Sequence, residues 1–142
     1  MFLALPIGLL IRMALNALDG MIAREYNQQS RTGEVLNEVG DIFSDFCIYF
    51  PLLKHEPDSV YWVACFMCLS IVNEFSGLMG KLVGGERRYD GPMGKSDRAF
   101  VISVYGLICF FYGSPIAYFN VAAVIVIILL VISTITRLKK SV

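Results

Sequence analysis

Apolar blocks about as long as a bilayer core, joined by short charged links, restrict this chain more than any other feature. A membrane-crossing helix needs about 20 mostly apolar residues. Blocks of that kind cover 1–18, 33–53, 59–80, 99–112 and 116–136. The first stops at Asp19-Gly20, and Gly113-Ser114-Pro115 divides the last two, because such a run favours a turn. The block at 99–112 is short unless Lys95 to Arg98 form its first turn. The residues are 56% hydrophobic and 17% charged, which excludes a water-soluble globule and a disordered chain. A net charge of +0 removes the basic field that nucleic-acid binding would need, so no nucleic-acid partner is expected. The expected architecture is an all-α integral membrane protein: one domain over 1–142, a bundle of about five transmembrane helices in a lipid bilayer.

Orientation follows the positive charges. Every Lys and Arg except Arg12 and Lys54 lies in the first link, the third link or the C-terminal tail. Those regions are expected to be cytoplasmic, which puts the first residue outside. Met1 has neither a basic flank before it nor a small-residue cleavage site after it, so a signal peptide is not expected. An upstream helix would restore the usual order.

The 33–53 block carries Glu34, Glu38, Asp41 and Asp45, four acids along one face of a 3.6-residue helix. Stacked like charges repel, and without a cation some of them would stay protonated. A hard divalent ion held by oxygen ligands relieves that repulsion. Glu34 and Glu38 also read as solvated first-turn residues favoured by the helix dipole. Asp41 and Asp45 lie too deep for that reading, and ionisable groups at such depth mark sites. Arg12, deep in the first block, is a candidate counter-ion. Asn16 and Asp19 close the first block, where they can face the stripe.

The residues from Asn16 to Asp41 form a pattern: DGMIAR, eight residues, Gly33, then Asn37 and Asp41 at intervals of four. This resembles the signature of the CDP-alcohol phosphatidyltransferase family, D-x-x-D-G-x-x-A-R, about eight residues, G-x-x-x-D-x-x-x-D. With LNEVGD and GPMGKSDRA, the likeness extends over nearly the whole chain and is similar to a bacterial inner-membrane branch. The resemblance implies a six-helix membrane fold whose first helix this chain lacks, usually a homodimer. It implies transfer of a phosphatidyl group from CDP-diacylglycerol, or a similar CDP-lipid, to a small alcohol, with release of CMP, in phospholipid synthesis. It implies Mg²⁺ or Mn²⁺ as cofactor, held by Asp19 and Asp41, with Asp41 also the catalytic base. Gly20, Ala23, Arg24 and Gly33 fall on the nucleotide-binding positions, and the active site would face the cytoplasm.

Two signature aspartates are replaced by Asn16 and Asn37, which offer carbonyl oxygen without charge. Glu38 and Asp45 are candidate extra metal ligands that would compensate. In the third link, Lys95 and Arg98, backed by Arg87 and Arg88, are candidates to bind an acceptor phosphate or the CDP diphosphate. The positive-inside rule alone also accounts for basic residues there. Two rival functions remain: a non-catalytic membrane protein of the same fold, its chemistry lost with the two carboxylates, and an ion-coupled transporter using the acid stripe. The second leaves Gly20, Ala23, Arg24 and Gly33 unexplained.

Other features carry less. Cys47, Cys65, Cys68 and Cys109 lie in apolar blocks and read as packing. His55 reads as an external surface residue. Glu74, beside Asn73, either lines a cytoplasmic cavity or pairs with a base at the interface. Gly80 and Gly84 form a weak helix-contact motif.

Overall fold

The first helix does not end at Asp19-Gly20. In the computed structural model, which describes residues 3–26, 30–55, 59–112 and 119–142, α1 runs through Ala4–Glu25. A single interior glycine costs a helix only about 1 kcal/mol, and Met21, Ile22 and Ala23 carry the turn onward. Ser30, in an extended conformation, caps α2 (Arg31–Tyr49) by accepting the Gly33 amide at 3.0 Å. Pro51 then interrupts the block expected to reach Leu53, leaving α3 (Leu52–His55) as one further turn. Next come α4 (Val60–Leu82), α5 (Lys95–Tyr112) and α6 (Phe119–Ser141). Lys95 to Arg98 do open α5, where Asp97 accepts the Gly94 amide at 2.8 Å, half of a capping box. The expected Gly113-Ser114-Pro115 turn lies outside the described residues.

Among the described residues all regular structure is helical. Three helices are long and apolar enough to cross a membrane: α1 over Ala4–Ala23, α4 and α6. α2 and α5 carry too many ionisable groups to qualify by composition, and they complete the bundle beside them. α1 packs against α5 and α2, while α4 packs against α6 and α2.

The bundle is apolar outside and divided within. Leu10, Ile11, Phe43, Phe110, Ile125 and Ile128 are exposed on its outer surface, as a bilayer requires. Cys47, Cys65 and Cys68 are also exposed, whereas Cys109 is buried in the core. One end is filled by Leu5, Leu9, Tyr49, Leu52, Phe66, Ile102 and Leu130. Toward the other end the interior becomes ionic: Arg12, Asp41, Asp45, Asn73, Glu74, Arg98 and Arg137 are all buried.

The 83–94 link is bound tightly over that ionic end. Arg88 donates its amide to Gly77 O at 2.9 Å, and Gly85 to Gly80 O at 2.9 Å. Buried Asn73 donates to Met93 O at 2.8 Å. Arg137 donates to Asp90 O at 3.1 Å and to Asn73 O at 2.9 Å. The Lys140 hydrogen bond holds the Asp90 carboxyl below its usual range. Gly80 therefore receives the chain's own link, at Glu86 and Arg88, with Ser141 at the end of α6 beside it. Gly91, at φ 110°, passes so close to Ser133 that no side chain fits.

A methyl group at Gly77 would meet Arg88 O at 2.7 Å, a backbone atom of the residue whose amide is held by Gly77 O. Gly77→Ala is expected to cost about 1–3 kcal/mol by overpacking, read as a lowered thermal unfolding midpoint in detergent. An unchanged midpoint would mean that the link is not held against α4.

Candidate active site

The C-terminal half of α1 and the N-terminal half of α2 form the walls of an open cleft of about 920 Å³. That volume suits a ligand the size of a nucleotide. Asn16, Asp19, Gly20 and Ala23 line it from α1, and Gly33, Asn37 and Asp41 line it from α2. Every signature position expected from the sequence is thus on one surface, apart from Arg24, whose side chain lies outside the described residues. The spacing explains the convergence. Offsets of three and four keep Asn16, Asp19, Gly20 and Ala23 on one side of α1, and Gly33, Asn37 and Asp41 on one side of α2. Gly20, Ala23 and Gly33 keep both walls low enough for a ligand to reach the backbone.

Asn16 Nδ2 donates to Asp41 Oδ1, joining the two helices at the cleft floor. Asp41 is buried, whereas Asp19 and Asn37 are open to the cleft. Asp19, Glu34 and Asp41 bring carboxylates to the cleft and Asn16 and Asn37 bring amides, hard oxygen groups of the kind a divalent cation takes, although Glu34 and Asp41 are paired with Lys81 and Lys95. Among the described residues no three acidic, His or Cys side chains converge as a metal cluster.

The acid stripe is present, but bases relieve its repulsion. Glu34 pairs with Lys81, Glu38 with Arg87, and Asp41 with Lys95. Arg12 Nη2 lies 3.5 Å from Asp41 Oδ1 and 2.9 Å from Asp45 Oδ1, so Arg12 serves two acids. Arg98 Nη2 lies 3.6 Å from Asp45 Oδ2 and 2.7 Å from Glu74 Oε1. Arg87 Nη2 reaches Glu74 Oε2 at 2.9 Å, and Arg137 Nη1 lies 4.0 Å from Glu74 Oε1. Glu74 is thus the shared anion of three guanidinium groups. Of its two readings from the sequence, pairing with bases holds, and the side chain is buried within the bundle.

The extra acids Glu38 and Asp45 do not line the cleft; Asp45 is buried behind it, against Glu74 and Tyr49. The four basic residues expected to bind phosphate are not on its wall either. Lys95 meets Asp41 from α5. Arg98 is wholly buried. Arg87 bridges Glu38 and Glu74 and stacks over Tyr89 at 5.0 Å. Arg88 is half-buried in the link. The basic residues that do line the cleft are Arg31 and Lys81, at the start of α2 and the end of α4. In the sequence they look like the other positive-inside residues. Arg31 lies two residues before Gly33 of the signature, and that was a usable sign of its place.

The family model for CDP-alcohol phosphatidyltransferases matches residues 2–137. The inner membrane protein YnbA of Escherichia coli strain K12 is 45% identical over 139 residues, a match covering 98% of this chain and 69% of that protein. No solved structure matches the chain.

Proposed function

The chain belongs to the CDP-alcohol phosphatidyltransferase family, and from that premise we propose that it transfers a phosphatidyl group from CDP-diacylglycerol, or a similar CDP-lipid, to a small alcohol. The family points to phosphotransfer from CDP-alcohols in a membrane, generally with a divalent metal. The observation that carries the finer reading is the convergence of the signature on one cleft between α1 and α2.

Asp41 takes the proton of the acceptor hydroxyl. The hydroxyl oxygen bonds to the phosphorus that bears the diacylglycerol, the diphosphate bridge breaks, and CMP leaves with the bridging oxygen. The proton passes from Asp41 to water. Mg²⁺ or Mn²⁺ at Asp19, Asp41, Asn16 and Asn37 supplies charge neutralisation on the diphosphate when bound. Gly20, Ala23 and Gly33 let the cytidine diphosphate lie against the helix backbone, and Arg24 belongs to the same signature. Arg31 and Lys81, at the mouth, attract its phosphates. Lys95 and Arg98 act beneath this surface, holding Asp41 and Asp45 in place, with Arg87 and Arg88 behind them. Asn16, Arg12 and Lys95 hold the Asp41 carboxylate in place at the cleft floor. The cleft opens toward the basic links, the side expected to be cytoplasmic in a bacterial inner membrane. A homodimer is the expected assembly.

The reading is tested by supplying the purified chain with CDP-diacylglycerol, Mg²⁺ or Mn²⁺ and pooled alcohol acceptors, with products read by mass spectrometry. A new phosphodiester lipid containing one of the acceptors is expected. Unchanged donor under every condition would favour the non-catalytic alternative, whose basis is the loss of charge at Asn16 and Asn37.

Lys81 gives a separate prediction. It is half-exposed and pairs only with the half-exposed Glu34 among the described residues, so its loss does little to the fold. Removing one charge-assisted hydrogen bond of about 1.5–3 kcal/mol is expected to raise KM for the CDP-lipid about 10- to 100-fold in Lys81→Met. An unchanged KM would remove Lys81 from the binding surface.

A further inference from the structure

Glu34, in the first turn of α2, and Lys81, in the last turn of α4, both line the cleft and pair with each other at its mouth. Neither has another ion-pair partner among the described residues. Their side chains are 52% and 50% exposed, so a ligand entering the cleft reaches both. The rest of the acid stripe differs: the Glu38, Asp41 and Asp45 side chains are 13%, 7% and 9% exposed, and they meet their bases away from solvent. An exposed ion pair is weak, because each partner is well solvated without the other. A phosphate oxygen accepts a charge-assisted hydrogen bond from an ammonium group as a carboxylate does. A phosphate placed beside Lys81 therefore meets the Glu34 carboxylate as a rival, and the two anions repel.

We propose that Glu34 sets the affinity of the cleft for phosphate-bearing ligands by competing with them for Lys81. Binding of the CDP-lipid requires the carboxylate to yield the ammonium group, and its return favours the departure of CMP. The proposal rests on the transferase reading above and on the phosphate role given there to Lys81. Arg31, one turn before Glu34 on α2, also lines the cleft and gives phosphates a second cation. Glu34 is thus a specificity-determining residue: it weakens ligands that bear phosphate and leaves the bare nucleoside untouched.

The test is calorimetric titration of the full chain in detergent with CMP and with cytidine, at a fixed Mg²⁺ concentration. Glu34→Gln is expected to bind CMP about threefold to tenfold more tightly than the wild type, the order expected for removing an exposed charge close to a ligand. Its affinity for cytidine is expected to stay the same, and an equal gain for cytidine would overturn the proposal. In a Lys81→Met background the gain from Glu34→Gln is expected to shrink to about twofold or less, because only the repulsion is then relieved. A gain of the same size in both backgrounds would show that Glu34 acts without Lys81, and would also overturn it. Both side chains are half-exposed, so these variants are expected to fold, and thermal unfolding in detergent checks that they do. Unchanged CMP affinity in Glu34→Gln would reduce the contact to a surface ion pair and defeat this inference alone, leaving the transferase reading in place. Weaker CMP binding would make Glu34 a contributor to binding and defeat it as well. No CMP bound by the folded wild type or by any variant would defeat both.

Discussion

Asp41→Asn is expected to lower kcat for CMP release about 1000-fold, within the range for losing a positioned general base, while the protein stays folded. The fold survives because Arg12 keeps Asp45 as its partner at 2.9 Å, and Lys95, which loses its ion pair, is partly exposed and keeps an amide oxygen beside it. The reaction fails because the amide cannot take the acceptor proton, and because the cleft loses one of the carboxylates that line it. Thermal unfolding in detergent should show both purified proteins fully folded at the assay temperature, so that the kinetic loss reads as chemistry. Activity within a fewfold of wild type would take Asp41 out of the catalytic step, and the account of the cleft would have to be rebuilt around Asp19.

Glu74→Ala is expected to unfold the protein or nearly so. Glu74 is 4% exposed, and Arg98, Arg87 and Arg137 surround it. Removing one partner of a buried ion pair costs about 3–5 kcal/mol, because the other charge is left without compensation. Here the loss affects three guanidinium groups. Arg98 is wholly buried, and its Nε and Nη1 already lack hydrogen-bond partners among the described residues. Total stabilities are about 5–15 kcal/mol, so a loss of this size removes a large share. Glu74→Gln keeps an acceptor oxygen and is expected to fall between Glu74→Ala and wild type. The measurement is the yield of monodisperse protein with its thermal midpoint in detergent. A midpoint within about 2 °C of wild type for Glu74→Ala, a shift worth well under 1 kcal/mol, would show that the ionic interior does not hold the bundle together.

These two residues differ in how far the sequence alone reveals them. Asp41 was legible because the signature is local. Offsets of three and four place its members on two helix faces, and the short link between those helices brings the faces together. The acid stripe was legible for the same reason. Its partners were not, because the base that neutralises each acid comes from another element: Lys81 from α4, Arg87 from the link, Lys95 and Arg98 from α5. Helical periodicity says which residues share a face but not which neighbour that face meets. Arg12 was foreseen as a counter-ion, though not as one shared by two acids. Arg137 gave no sign at all, since in the tail it reads like Lys139 and Lys140, and only burial against Asn73 and Asp90 sets it apart. Asp19-Gly20 looks like the end of the first block because a polar cleft face on a continuing helix has the same composition as a boundary.

The central claim is tested most directly by CMP release from CDP-diacylglycerol in detergent micelles, followed with and without acceptor alcohol and with Mn²⁺ titrated against a chelator. The account predicts release that needs both acceptor and metal and is lost in Asp41→Asn. Release that survives chelation or the Asp41 substitution, or none from folded wild-type protein at any metal concentration, would contradict it.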